Sequence, residues 1–186
     1  MLNVQLLRGE RVHLTPLAQA DAVIMAGWGL DLDYLRHLDA EPAFPRSEQQ
    51  VLDWMREHSR GREDYLFGIR LALTDELVGF VELGEIAWTH RTAWLALGIG
   101  EERHRGRGYG TEALRLALDY AFNELNLYRL QLTVFAYNHP AIALYEKLGW
   151  RREGVFREAL QRDGQRHDIF LYGLLAREWL GRDDTP

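Results

Sequence analysis

The chain contains no cysteine, which excludes disulfides, thiolate metal sites and a cysteine nucleophile. Lysine is almost missing as well: Lys147 is the only one, so arginine carries the positive charge and lysine-based amine chemistry is all but excluded. No run of about 18 apolar residues occurs, which argues against a membrane-spanning helix, and the segment from Met1 to Gln5 lacks the basic-then-apolar pattern of a secretory leader. A cytoplasmic protein without a membrane partner is expected. The net charge of -6 argues against general nucleic-acid binding, whose affinity rests on phosphate neutralisation, and suits a cationic substrate. With 186 residues and 47% hydrophobic composition, one buried core can close. A single domain over 1–180 is therefore expected, with a frayed tail over 181–186.

What is present reads as a mixed α/β chain. Leu6 to Pro16 is extended with a turn at Arg8-Gly9-Glu10, and Gln19 to Trp28 is helical. Gly29 to Arg46 mixes acids, aromatics and two prolines, either as a solvated connector or as a flap facing a substrate. Ser47 caps a helix whose apolar stripe is Val51, Leu52, Trp54 and Met55. Tyr65 to Leu73 and Leu77 to Ile86 form a hairpin around Thr74-Asp75-Glu76. Trp94 to Ile99 is a further strand, and Thr111 to Glu124 is a helix with Leu114, Ala117, Leu118, Ala121 and Phe122 on one face. Leu130 to Phe135 alternates as a strand, Pro140 to Lys147 is a short helix ended by Gly149, and Trp150 to Leu160 pairs with His167 to Leu175 around Asp163-Gly164, over a connection longer than two residues.

Between the strand ending at Ile99 and the next helix lies Arg105-Gly106-Arg107-Gly108-Tyr109-Gly110. Glycines at alternate positions leave backbone NH groups unobstructed where a helix begins, a natural seat for a phosphate-bearing anion. A P-loop would need Lys-Ser or Lys-Thr after its glycines, and a dinucleotide fingerprint would need Gly-x-Gly-x-x-Gly in a βαβ unit. Neither pattern is met.

The loop resembles the Arg/Gln-x-x-Gly-x-Gly/Ala hallmark of the GCN5-related N-acetyltransferase (GNAT) family. Asn138, followed by Ala141 to Trp150 with Tyr145 and Gly149 in register, is similar to a second block of that family. Val81-Glu82-Leu83, Glu85-Ile86, His90-Arg91 and Glu153-Gly154 look like the bacterial branch that includes spermidine and ribosomal-protein acetyltransferases. The resemblance implies a mixed, mostly antiparallel sheet with helices on both faces and a splayed strand pair holding acetyl-CoA. It implies that Arg105, Gly106, Arg107, Gly108, Tyr109, Gly110 and Thr111 bind the pyrophosphate, and that Gly98, Ile99 and Gly100 pair with the pantetheine arm across a gap near Thr133 to Tyr137. Asn138 would be a polar cofactor contact, a helix cap, or both. No metal is implied, and a homodimer is a family expectation.

The chemistry asks for a proton acceptor at the amine and a donor at the departing thiolate. Tyr145 occupies the position of the family's usual general acid and also counts among the cofactor contacts. Where some members carry a glutamate, Thr133 stands here, which leaves Glu82 and Glu85 as the nearest carboxylates. Their spacing puts them on opposite faces of a regular strand, so only one can face the site. Glu82 is favoured as the base, and His90 is a third candidate. A strand NH near Leu97 or Gly98 would face the carbonyl oxygen. Trp28, Tyr34, Phe44 and Trp94 suit either the core or a pocket for a peptide N-terminus or aromatic amine. The implied function is direct acetyl transfer from acetyl-CoA to a primary amine of a peptide, polyamine or small molecule. An acyl-CoA-binding sensor without turnover is the rival.

Overall fold

The computed structural model describes residues 6–59 and 62–181. Apart from Gly181, the expected frayed tail lies outside these residues.

Strands β1 (Val12–Pro16), β2 (Tyr65–Leu71), β3 (Leu77–Ala87), β4 (Thr92–Ile99), β5 (Arg129–Phe135), β6 (Arg151–Arg162) and β7 (Gln165–Leu175) form one seven-stranded sheet in the order β1-β2-β3-β4-β5-β7-β6. Every neighbouring pair is antiparallel except β4 and β5, which run parallel. The hairpin between β2 and β3 forms as its sequence indicates, with Asp75 at φ 59 in the turn. The last hairpin is tighter than expected. Arg162 pairs with Gln165, so the connection is only Asp163 (φ 50) and Gly164 (φ 75), both left-handed as such a turn requires.

Helices α1 (Asp21–Trp28), α2 (Leu32–Leu38), α3 (Glu48–Glu57), α4 (Tyr109–Asp119), α5 (His139–Lys147) and α6 (Ala176–Leu180) pack around the sheet. Ser47 caps α3 through a reciprocal box: its hydroxyl accepts the Gln50 NH at 3.3 Å, and the Gln50 side chain accepts the Ser47 NH at 2.9 Å. The helix expected to reach Glu124 instead ends as a π turn over Tyr120–Glu124, which keeps Ala121 and Phe122 buried. Residues of α1 and α3 pack with Leu66 and Phe80, while Ala113 and Ala117 of α4 pack with Phe67, Ile69 and Val81, so helices cover both faces. Asp21 anchors α1 to β2: both its carboxylate oxygens accept from Arg70 Nη2 at 2.7 Å, and the carboxylate is almost fully buried. No helix among the described residues is long and apolar enough to cross a membrane.

Two irregularities position the site. The β4–β5 ladder covers only Thr92 to Trp94 against Arg129 to Gln131, and beyond that the two strands part, while β5 stays paired with β7 as far as Phe135 and Ile169. A wedge opens in the middle of the sheet. In β3, Glu85 takes φ 51 and the register with β4 shifts between Gly84 and Ala87. The alternation that would separate Glu82 from Glu85 holds only for a regular strand, and this bulge breaks it.

Candidate active site

The glycine loop folds because Gly106 (φ 71) and Gly108 (φ 83) accept left-handed backbone at little cost. Gly108 is the N-cap of α4 and supplies no side chain, and the first helical bond runs from the Glu112 NH to the Gly108 carbonyl at 3.1 Å. Within the described residues no bond takes the NH groups of Gly106, Arg107, Gly108, Tyr109, Gly110 or Thr111. They crown the positive end of an eleven-residue helix, the electrostatics an anion requires.

Two of the expected cofactor contacts have partners within the protein. The Arg105 NH bonds the Glu102 carbonyl at 3.0 Å, and its guanidinium donates to the carbonyls of Ile99 and Gly100 and to Asp31 at 2.9 Å. It also lies 5.5 Å from the Tyr34 ring centroid, so it ties the loop to the start of α2. Gly100 is likewise occupied, with its NH on the Val78 carbonyl at 2.9 Å and its own carbonyl on Arg105. The Ile99 carbonyl is also engaged by Arg105, so the edge of β4 open to an added strand is shifted toward Leu95 to Gly98.

A chamber of about 540 Å³ sits in the wedge. It is reached from β4 by Leu95, Ala96 and Leu97, from β5 by Thr133 to Phe135, and from α5 by Asn138 and Tyr145. Asn138 caps α5, its Oδ1 accepting the Ala141 NH at 3.3 Å, and it lines the chamber as well. Tyr145 is buried to 7% exposure and packs on Trp150 and Tyr172, yet no described group bonds its hydroxyl. Burial pushes that phenol up to about 12, so it remains a proton donor at neutral pH.

The same chamber is lined by Asp39, Asp64, Glu82 and Glu85, and the described lining includes no arginine or lysine. Burial raises the Glu82 carboxyl above its ordinary range, the charge of His58 opposes this, and Asp64 and Glu85 add to it. Sequence reasoning missed His58 and Asp64. Asp64 accepts the Glu85 NH at 3.0 Å and so fixes the bulge, whereas His58 faces Glu82. A histidine one residue past a helix end carries no local signal of that kind. His90 lies exposed in the β3–β4 turn and does not line the chamber.

The end of α2 and the start of the segment after it form a wall of the site, since His37, Leu38, Asp39 and Ala40 all line it. Arg162 at the β6–β7 tip holds this wall, donating to the carbonyls of Asp39 (3.0 Å), Ala40 (3.0 Å) and Glu41 (2.9 Å), while Asp163 pairs with Arg36 at 2.5 Å. Of the four aromatics singled out in the sequence, Trp94 lines this chamber, Trp28 and Tyr34 line a neighbouring cavity, and Phe44 is exposed.

An anion seat at a helix start, a split sheet edge, and a buried phenol that shares a chamber with carboxylates together suit acyl transfer from a phosphate-bearing thioester to an amine. A family profile described as an acetyltransferase (GNAT) domain matches residues 11–151. The spermidine N(1)-acetyltransferase of Escherichia coli (strain K12) is 38% identical over 175 residues, covering 94% of this chain and 91% of that protein. A ribosomal N-acetyltransferase-like protein of Bacillus subtilis (strain 168), YdaF, is 33% identical over 136 residues, or 72% of this chain and 71% of that protein. Among solved structures, a spermidine N-acetyltransferase from Vibrio cholerae in complex with CoA and spermine aligns with a TM-score of 0.83 at 26% identity, over 92% of this chain and 99% of that one. Profile, sequence and fold agree over most of the length, and the chain belongs to the GNAT acetyltransferase family.

Proposed function

We propose that this chain, an N-acetyltransferase by family, moves the acetyl group of acetyl-CoA directly onto a primary amine, with Glu82 as proton acceptor and Tyr145 as proton donor. The observation that carries these roles is that a carboxylate whose affinity for a proton is raised by burial and a phenol without an internal partner line one chamber at the break between β4 and β5. The free NH groups of Gly106 to Thr111 hold the pyrophosphate, and the unpaired edge of β4 from Leu95 to Gly98 takes the amides of the pantetheine arm as an added strand. Asn138 contributes a polar contact beside its capping bond.

The donor supplies a thioester carbonyl, and the protein does the rest. An ammonium of pKa about 10.4 is only about one part in 10³ neutral at pH 7, so the acceptor must shed a proton before it attacks. The carboxylates draw the cation in, and Glu82 takes the proton directly or through water. As the new C–N bond forms and the C–S bond breaks, the Tyr145 hydroxyl protonates the departing sulfur, the second nitrogen proton restores the phenol through water, and Glu82 passes its proton to solvent. A β4 NH near Leu97 or Gly98 faces the carbonyl oxygen. Residues 1–180 are read as one domain around this chamber.

Thiol release measured with acetyl-CoA and a panel of peptides, polyamines and small amines tests the proposal. Amine-dependent release with matching N-acetyl product is the expected result. Tight acetyl-CoA binding with no turnover on any amine would replace it with the sensor.

A further inference from the structure

Next to the chamber lies a second cavity of about 220 Å³, between α1 to α3 and the sheet, and both are lined by Leu38, Asp39, Glu82 and Ala96. Its walls include Trp28, Tyr34, Trp54 and Phe80. Trp54 meets Phe80 edge-on with centroids 5.5 Å apart, and Trp28 meets Tyr34 in the same way at 6.4 Å. The sheet leaves room here because small residues stand across from large ones: Glu82 pairs with Ala96 and Phe80 with Gly98. A Cβ on Gly98 would come within 2.9 Å of both the Phe80 ring and the Tyr34 hydroxyl.

The charges at this cavity are few and already arranged. Asp39 faces Arg46 across 3.9 Å and accepts the Glu41 NH at 3.0 Å, which leaves Glu82, at the junction of the two cavities, as the carboxylate open to an ammonium. Arg46 also lines this cavity, so a second ammonium there would meet a like charge, whereas an apolar group would meet aromatic faces. Trp28 is 4% exposed, so its ring is a fixed part of the wall.

We infer that this cavity receives the body of the acceptor, which is a primary amine joined by a short arm to an aromatic or bulky apolar group. The ammonium sits at Glu82 and the apolar part among Trp28, Tyr34, Trp54 and Phe80. The inference rests on the acetyl-transfer reading above and specifies its substrate class. A dry apolar cavity of about 150 Å³ holds a benzene ring, so the space here admits a six-membered ring with its arm. Burying such a ring favours it by about ten- to hundredfold over a bare alkylamine. The same chemistry occurs in free arylalkylamines and in peptides whose first residue is aromatic.

The test compares kcat/KM for 2-phenylethylamine, a tetrapeptide amide beginning with phenylalanine, spermidine and ethylamine. It uses the full chain and an Ala26→Leu variant, since Ala26 lines this cavity and not the chamber. At least one of the two aromatic amines is expected to exceed spermidine and ethylamine by about tenfold or more, and the one that does identifies the source. In Ala26→Leu its advantage over ethylamine falls by a similar factor. Preference for spermidine or ethylamine in the unmodified chain overturns the inference while acetyl transfer stands, as does an aromatic preference that a folded Ala26→Leu leaves unchanged. The unmodified chain's order decides by itself if the variant does not fold. Turnover with no amine removes the activity and the inference together.

Discussion

His58 Nε2 stands 3.8 Å from Glu82 Oε1, and the other ring nitrogen lies 2.8 Å from the Trp54 carbonyl. A carbonyl only accepts, so Nδ1 carries a proton, and Nε2 is the ring nitrogen turned toward the carboxylate. Glu82, the proton acceptor proposed above, therefore has an imidazole nitrogen as its neighbour in the chamber.

Glu82→Gln is expected to lower turnover by about 10²-fold or more while the chain stays folded. The folded Glu82 carboxyl is raised above its ordinary 4.5 by burial, so between that value and its folded value the native state holds a proton that the unfolded state releases. Its stabilising contribution is complete below the unfolded value and is lost as pH rises through the folded one. Thermal melts of Glu82→Gln should therefore gain on the unmodified chain from pH 4 toward pH 7, and kcat/KM should rise with pH over the acid limb. A variant that keeps full turnover would remove Glu82 as the acceptor.

Tyr145→Phe should cut kcat by about 10²-fold and leave the acetyl-CoA dissociation constant nearly unchanged in titration calorimetry. With the phenol at about 12, no alkaline loss of rate assignable to its ionisation is expected up to about pH 10.

Gly106→Asp places a carboxylate among the free NH groups. A Cβ there meets no atom within 4 Å, and its φ of 71 is one that aspartate tolerates better than most residues. CoA affinity should fall by about tenfold or more while the melting profile shifts little. Retained affinity would contradict the anion seat.

Arg162→Leu removes the donor to three successive carbonyls in the chamber wall. Charge-assisted bonds contribute about 1.5–3 kcal/mol each in favourable cases, but one shared guanidinium contributes less than their sum. The amine KM should rise severalfold with CoA affinity preserved, and amide exchange near residues 39–41 should quicken. Unchanged exchange there would show that the wall stands without its tether.

Asp21→Ala leaves the guanidinium of Arg70 without its buried carboxylate and should cost about 3–5 kcal/mol in denaturant unfolding.

Much of the fold was legible because its signals are local. The Ser47 capping box, the β2–β3 hairpin and the apolar face of α4 each rest on residues a few positions apart. The glycine loop was legible for the same reason. The fate of Arg105 was not, since its partner Asp31 lies 74 residues away. Nor was the shared placement of Glu82 and Glu85, because alternation fails at a bulge fixed by Asp64, 21 residues upstream of Glu85. The last connection was overestimated because the strands extend through Arg162 and Gln165, polar residues without an apolar alternation to mark them. His58 and the Arg162 tether depend on how α3 and the final hairpin come to lie over the sheet.

The sheet's two halves, β1 to β4 and β5 with its partners, are joined as neighbours by a ladder of only three residue pairs. A bound pantetheine arm would lengthen that seam from the outside, so the donor acts as a removable piece of the architecture. At a hundredfold excess over its dissociation constant, such a ligand adds about 2.7 kcal/mol to the folded state. Resistance to proteolysis would then track the acetyl-CoA concentration around the protein, and the enzyme would be most perishable where that donor is scarce.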